Sequence, residues 1–405
     1  MNRIRTGIAA VVVLCLAAVA PAADSPQFRG PERNGIFPET GLLASWPEGG
    51  PPLLWAAEGL GDGFASVSVV GDRIYTTGKF GRNGSVVALD RDGNRLWATD
   101  YGETHDGNGY PGTRTTPTFD DGMLYIMTSL GEAVALDAES GAIRWRRDLP
   151  SRDITWGISE SPLVVDDLVV YTPGGNAGTL LALDKKSGKT RWAMTELLER
   201  SAYCSPRLFE EGGLRQIVTL TERHLIGVDP DDGDLLWKVE HPGRYDIHAV
   251  SPVFDGRSIF ISDGYGQGSR MFELAADGGG VREVWRNDDL DVHHGGAVLV
   301  DGVVYGAASN GTWYALDAVS GEVLASRRRL GKGSMVFADG RLYGYVESGD
   351  VLLVDPDPQR FEAVGELDIE RGRGQHWAHP VLAGGVLYIR HGDVLMAYDI
   401  ASDSV

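Results

Sequence analysis

Short apolar stretches of four to seven residues follow one another along the chain, separated by polar turns. RIYTTG (73–78), MLYIMTS (123–129), LVVYTPG (168–174), VVYGAAS (303–309), RLYGYV (341–346) and VLYIR (386–390) are examples. Runs rich in Val, Ile, Leu and Tyr, bounded by Gly, Asp and Pro, predict β-strands. Only MTELLER (194–200) offers a helical period. The pattern is therefore that of an all-β protein.

The stretches form a repeat. Each unit reads apolar strand, Asp or Gly turn, apolar strand, short loop, an ALD-type strand, Gly turn and then Trp. The ALD-type positions end at Asp90, Asp137, Asp184, Asp229, Ala275, Asp317, Asp355 and Asp399. Seven intervals separate the first from the last, about 44 residues each, a period that suits propeller blades of four strands. The following Trp is Trp97, Trp145, Trp192, Trp237 or Trp285; Ala325 takes its place in the sixth unit, and Ala363 or Val364 in the seventh. The eighth unit ends too early for a fourth strand, whereas LLWAAE, with Trp55, precedes any complete unit. A ring closed by that N-terminal strand leaves no exposed sheet edge between the first and last blades. The expectation is an eight-bladed β-propeller over 53–400, preceded by an arm at 24–52 laid on its outside and followed by a tail at 401–405.

VALDAESGAIRW (134–145), LALDKKSGKTRW (181–192) and YALDAVSGEVLA (314–325) resemble PQQ-like repeats, named after the redox cofactor pyrroloquinoline quinone. The resemblance extends over nearly all of the chain after its leader. It implies membership of the superfamily that holds quinoprotein alcohol dehydrogenases and the propeller lipoprotein of the outer-membrane β-barrel assembly machinery. PQFRGPERNG, NGYPGTRTTP, HHGGAVLV and WAHPVL also resemble exported PQQ-like propellers of undefined activity. The repeat residues have structural duties of their own. Asp bonds nearby amides, Gly supplies a positive φ, and Trp presents a flat face to the next blade.

Alternating strand direction makes the two faces of the ring unlike. Turns between first and second, and between third and fourth, strands are bland: DDG, DAESG, KKSG, AVSG. The opposite face, called here the top, carries the long segments, among them TDYGETHDGNGYPGTR, LPSRDITWGISE, NDDLDVHHGG and IERGRGQHWAH. All nine histidines fall in those top segments. Tyr110, Arg114, Trp156, Glu160, Tyr203, His248, His293, His294, His376, Trp377 and His379 are therefore the expected ligand-binding residues. A rigid scaffold with polar and aromatic groups on its channel-mouth loops is where a ligand is expected.

Several chemistries are open to that set. HWAH places His376 and His379 three apart, DIH places Asp246 and His248 two apart, and His293 and His294 are adjacent; no one spacing is diagnostic of a metal, and none is assigned. A quinone dehydrogenase needs calcium and oxygen ligands, for which Glu160, Asp106, Asp246 and Asn108 are available. Arg114 would contact the quinone, and Trp156 or Trp377 would wall it. The vicinal cysteine pair of many such enzymes is absent, and no nucleophile elbow appears. Cys204 reads as a small buried side chain. The favoured expectation is a binding or scaffold module without an assigned cofactor, taking a protein, peptide or glycan at the top face. The alternative is a PQQ- and calcium-dependent dehydrogenase of an alcohol or sugar.

Composition narrows the partners. The formal net charge is −20, which disfavours a phosphate backbone and so nucleic acid. Arg3 and Arg5, an apolar run from Ile8 to Ala20 and Ala20-Pro21-Ala22 read as a cleaved export signal at 1–23. Leu14 before Cys15 does not suit lipidation, and no segment is long enough to span a membrane. The expectation is an exported, monomeric protein, periplasmic or extracellular, and not a lipoprotein.

Overall fold

The computed structural model describes residues 24–149 and 155–402. The leader expected at 1–23 and positions 403–405 of the tail lie outside them. Eight antiparallel sheets of four strands form a ring, an eight-bladed β-propeller. The first blade is Ser68–Val70, Arg73–Phe80, Asn83–Asp90 and Arg95–Glu103, and six more follow the same up-and-down order. The eighth takes Val381–Ala383, Val386–His391 and Val394–Asp399 and is closed by Leu53–Ala57, with Trp55 opposite Ala397. Only three-residue 3-10 turns interrupt the strands among the described residues. MTELLER is irregular rather than helical: Met194 and Leu197 are buried against blade-three strands, and that packing overrides a single turn's period.

A β-bulge before the Trp recurs, placing it opposite the ALD alanine, as in Ala135↔Trp145 and Ala182↔Trp192. The bulge re-aims the indole toward the next blade. There Trp145 donates to Lys185 O at 3.0 Å, Trp192 to Pro230 O at 3.0 Å and Trp285 to Ala318 O at 2.9 Å. The turn glycine of the next blade lies under the ring: Gly141 has φ 71°, and a Cβ there would come within 2.6 Å of Trp97.

In the seventh blade the Trp place falls on Gly365, not on Ala363 or Val364. The bulge displaces Val364 and sets Gly365 opposite Leu353. The missing indole comes from the arm. Trp46 lies on Gly365, where a Cβ would meet it at 2.7 Å, and packs on Tyr343 at 6.1 Å and 55°. That matches Trp55 on Tyr388 in the next blade, at 6.1 Å and 53°.

The arm does not lie only on the outside, as expected. Its first part enters the channel and crosses several innermost strands: Ser25 bridges Val69, Phe119 N donates to Pro26 O at 2.8 Å, and Ile36 bridges Phe337. Arg29 donates to the carbonyls of Ala297, Met335 and Gly295 at 2.6, 3.2 and 3.3 Å, and Arg33 to those of Ser161 and Pro162 at 2.6 and 2.9 Å. Innermost strands are sheet edges whose carbonyls need donors, and a guanidinium carries five N–H groups. Two arginines therefore pin the arm where an apolar segment would leave the edges unpaired. Beyond Phe37 the arm crosses the bland face, with Leu43 N on Ile400 O at 2.8 Å, before joining the eighth blade.

Candidate functional site

The mouth of the channel is built by residues that begin the innermost strands. A belt of hydroxyls joins neighbouring blades there. Ser66 N donates to Thr116 Oγ1 at 3.0 Å, Thr116 N to Ser161 Oγ at 3.1 Å, Ser161 N to Ser205 Oγ at 2.9 Å and Ser205 N to Ser251 Oγ at 3.2 Å. The recurring Ser-Pro or Thr-Pro pairs at 116–117, 161–162, 205–206 and 251–252 were its sequence signal. The strand order places all nine histidines on this face, either before innermost strands or beside second-to-third loops.

Above the belt lies a pocket of about 440 Å³. Tyr110, Arg114, Trp156, Tyr203, His293, His294, Trp377 and His379 line it. Its aromatic wall is continuous: Tyr110 lies 5.1 Å from Trp377 and 6.0 Å from Trp156, and Phe64 lies 5.0 Å from Trp377. Phe28, carried up the channel by the arm, packs edge-on against His379 at 4.8 Å. Phe28, Phe64, Tyr265, Lys332 and Glu347 are lining residues not expected from sequence. Phe64 and Lys332 hold the pre-innermost-strand position that marked the others; nothing local in the sequence marks Phe28. Three tyrosines on this face have left-handed backbone, Tyr203, Tyr245 and Tyr265 at φ 76°, 66° and 61°.

The pocket's charges are largely spoken for. Glu347 pairs with Lys332 at 2.9 Å and accepts from Trp377 Nε1 at 2.9 Å. Burial, reinforced by Lys332, pushes His293 down to about 4, and burial holds His294 well below the usual imidazole range. Burial and Arg29 take His379 to about 3. Arg29 donates to His379 Nδ1 at 3.1 Å, so Nε2 carries the proton and donates to His294 O at 3.1 Å. These three are neutral imidazoles at neutral pH. Arg114 donates to Gly112 O at 3.1 Å and Tyr110 O at 2.9 Å and lies over Phe64 at 5.4 Å.

Three expected site residues lie elsewhere. Glu160 is fully buried outside the pocket, both oxygens accepting from Thr172 N at 2.8 and 2.9 Å beside the blade's second strand, and burial raises it to about 8. His376 stacks on His391 at 3.7 Å and shares a hydrogen bond with the Tyr345 hydroxyl, so it does not converge with His379. His248 is buried between blades, where Nδ1 bonds Asp263 at 2.9 Å. His241 bonds the same carboxylate oxygen through Nε2. Burial works to raise Asp263, and the two histidine hydrogen bonds outweigh it, holding it at about 2. His241, His248 and Asp263 are the one grouping of metal-capable side chains among the described residues. Arg270 donates to His241 Nδ1 at 3.0 Å, which leaves the proton on Nε2, facing Asp263. The lone pair a metal would take is thus protonated, and the cluster is satisfied as a hydrogen-bonded triad.

A calcium-bound quinone does not fit the pocket either. Calcium takes six to eight oxygens, and the sole lining carboxylate among the described residues is Glu347, already paired. Asp246 pairs with Arg200 at 2.7 Å, and Asp106 caps Asn108 N at 2.9 Å. Glu160 is spent on the Thr172 backbone.

Known proteins share this architecture. The assembly factor BamB of Moranella endobia is 24% identical over 278 residues, covering 64% of this chain and 69% of that protein. The crystal structure of BamB from Moraxella catarrhalis superposes with a TM-score of 0.65 at 18% identity, covering 86% of this chain and 97% of that one. A quinohemoprotein alcohol dehydrogenase of Pseudomonas putida HK5 gives 0.63 at 14% identity, covering 94% and 80%. The last two likenesses establish the shared propeller alone. The profile of the family described as outer membrane protein assembly factor BamB matches residues 82–327, more than half of the sequence, and the chain belongs to that family of PQQ-like propellers.

Proposed function

We propose that the protein is an exported binding module that holds a protein or peptide segment at the channel-mouth pocket. The observation that carries this reading is the continuous wall of Tyr110, Trp156 and Trp377 over about 440 Å³ on a rigid ring. Large amphipathic rings with an adjacent Arg are the residue types that dominate binding energy at protein interfaces. The relatives' name, outer membrane protein assembly factor, supports a protein partner and a place outside the cytoplasm. The described residues contain no helix long and apolar enough to cross a membrane. Glu347, Lys332 and the neutral histidines fix the shape of the pocket and leave the aromatic faces to make contact.

The test is photocrosslinking in the native host. A photoreactive phenylalanine at Tyr110 is expected to trap a discrete partner, and Trp377→Ala to abolish the adduct. The same probe at Val319, on the opposite face and 80% exposed, is expected to trap nothing comparable. Equal adducts at both positions, or adducts indifferent to Trp377→Ala, refute the reading. Added PQQ and Ca²⁺ are expected to give no quinone absorbance on the purified protein.

A further inference from the structure

Resting on the pocket reading above, we propose that the group recognised there is an aromatic ring bearing a carboxylate, its ring against Tyr110 and Trp377 and its carboxylate on Arg114. The argument starts from charge. Lys332 and Glu347 cancel each other at 2.9 Å. The pocket's remaining charged group is Arg114, and among the described residues no carboxylate lies within ion-pair distance of it. Its partners are two backbone carbonyls on its own loop, Gly112 O and Tyr110 O. A guanidinium has five N–H groups in a planar fork that matches a carboxylate's two oxygens. One that lines an apolar pocket with neutral partners is held ready for an anion. The chain's formal charge of −20 makes this local cation stand out further, because an acidic surface repels anions that lack a specific site.

The ring follows from what surrounds the cation. Arg114 sits over Phe64, which contacts Trp377, which contacts Tyr110. A ligand reaching the guanidinium therefore slides along aromatic faces, where an offset or edge-on ring gains most. Glu347 reinforces the selection: it fixes the Trp377 indole through Nε1 at 2.9 Å, so the wall is ordered before the ligand arrives. Two sources supply this chemistry, a free aromatic acid or the last residue of a peptide with an aromatic side chain.

Calorimetry on the full chain distinguishes the outcomes. 3-Phenylpropionate is expected to bind, and its uncharged amide to bind about tenfold more weakly or worse. Arg114→Gln, with an unchanged circular dichroism melt, is expected to erase that preference while leaving the amide's weak binding in place. Gly-Gly-Phe with a free terminus, set against the amidated peptide, shows whether a chain end is accepted: preference for the free peptide over the free acid identifies a peptide terminus, and the reverse identifies a small acid. Equal affinity for acid and amide overturns the proposal. If that equal binding is lost in Trp377→Ala, the carboxylate reading falls while the pocket stands as a binding site. Absence of binding by every probe overturns the ligand class, and the photocrosslinking result then decides the pocket separately.

Discussion

Trp46 supplies the indole that the seventh blade lacks, and removing it measures what that contribution is worth. The side chain is 7% exposed and sits on Gly365 and Tyr343. A buried tryptophan removes roughly 150–250 Å² from water. At about 25 cal/mol per Å² this is roughly 4–6 kcal/mol, an upper value because the unfolded chain already buries some of it. Its Nε1 makes no hydrogen bond, so Trp46→Ala forfeits packing alone, and the expected loss is about 3–4 kcal/mol. Equilibrium unfolding in urea, followed by circular dichroism, reads this as a lower midpoint with an unchanged slope. The sharper assay is the exchange variant. Trp46→Ala together with Gly365→Trp returns the indole to the strand position it holds in blade eight, where Trp55 faces Ala397. The double variant is expected to recover at least half of the loss. A Trp46→Ala loss below about 1 kcal/mol, or a double variant no more stable than Trp46→Ala, refutes the idea that the arm completes the blade.

Two further predictions concern buried titratable groups. Glu160 is raised to about 8 by burial. In the window between its unfolded value and about 8 the folded state holds a proton that the unfolded state lacks. Stability from this group is therefore present below about pH 4.5 and declines as pH rises toward 8, by roughly 5 kcal/mol at most. Glu160→Gln is expected to flatten that decline in urea titrations run from pH 5 to 8; an equal decline in the variant refutes the assignment. Cys204 is buried, its thiol pushed up to about 11 by burial and bonded to Thr219 at 3.2 Å. In protein beginning at residue 24, a thiol reagent is expected to leave the native state unmodified and to react with one equivalent after unfolding; rapid native reaction contradicts this.

The repeat itself was legible because its signals are local. Short apolar strands, Asp-Gly turns and a Trp at fixed spacing are decided within a dozen residues. Eight such units of about 44 residues, with an orphan strand at the start, leave ring closure as the simplest solution. The top face was legible for the same reason, since strand direction alternates by necessity once the units are counted. Tyr110, Arg114, Trp156 and Trp377 could thus be placed at one mouth by position alone.

What remained was decided by encounters between distant residues. Glu160 and His376 share the loops of the pocket residues, yet local register turned one onto the Thr172 backbone and the other onto His391. His248 found Asp263 and not the nearby Asp246, which Arg200 takes. The arm shows the difference most plainly. Its composition, rich in Pro and Gly, says only that it is not a blade. That Arg29 and Arg33 thread the channel, that Phe28 reaches the pocket and that Trp46 completes a blade follow from unpaired edge carbonyls and a bare Gly365. A sequence determines which hydrogen-bonding and apolar groups a segment brings; which partners they satisfy is settled only when the ring closes and presents edges and gaps that no single repeat contains.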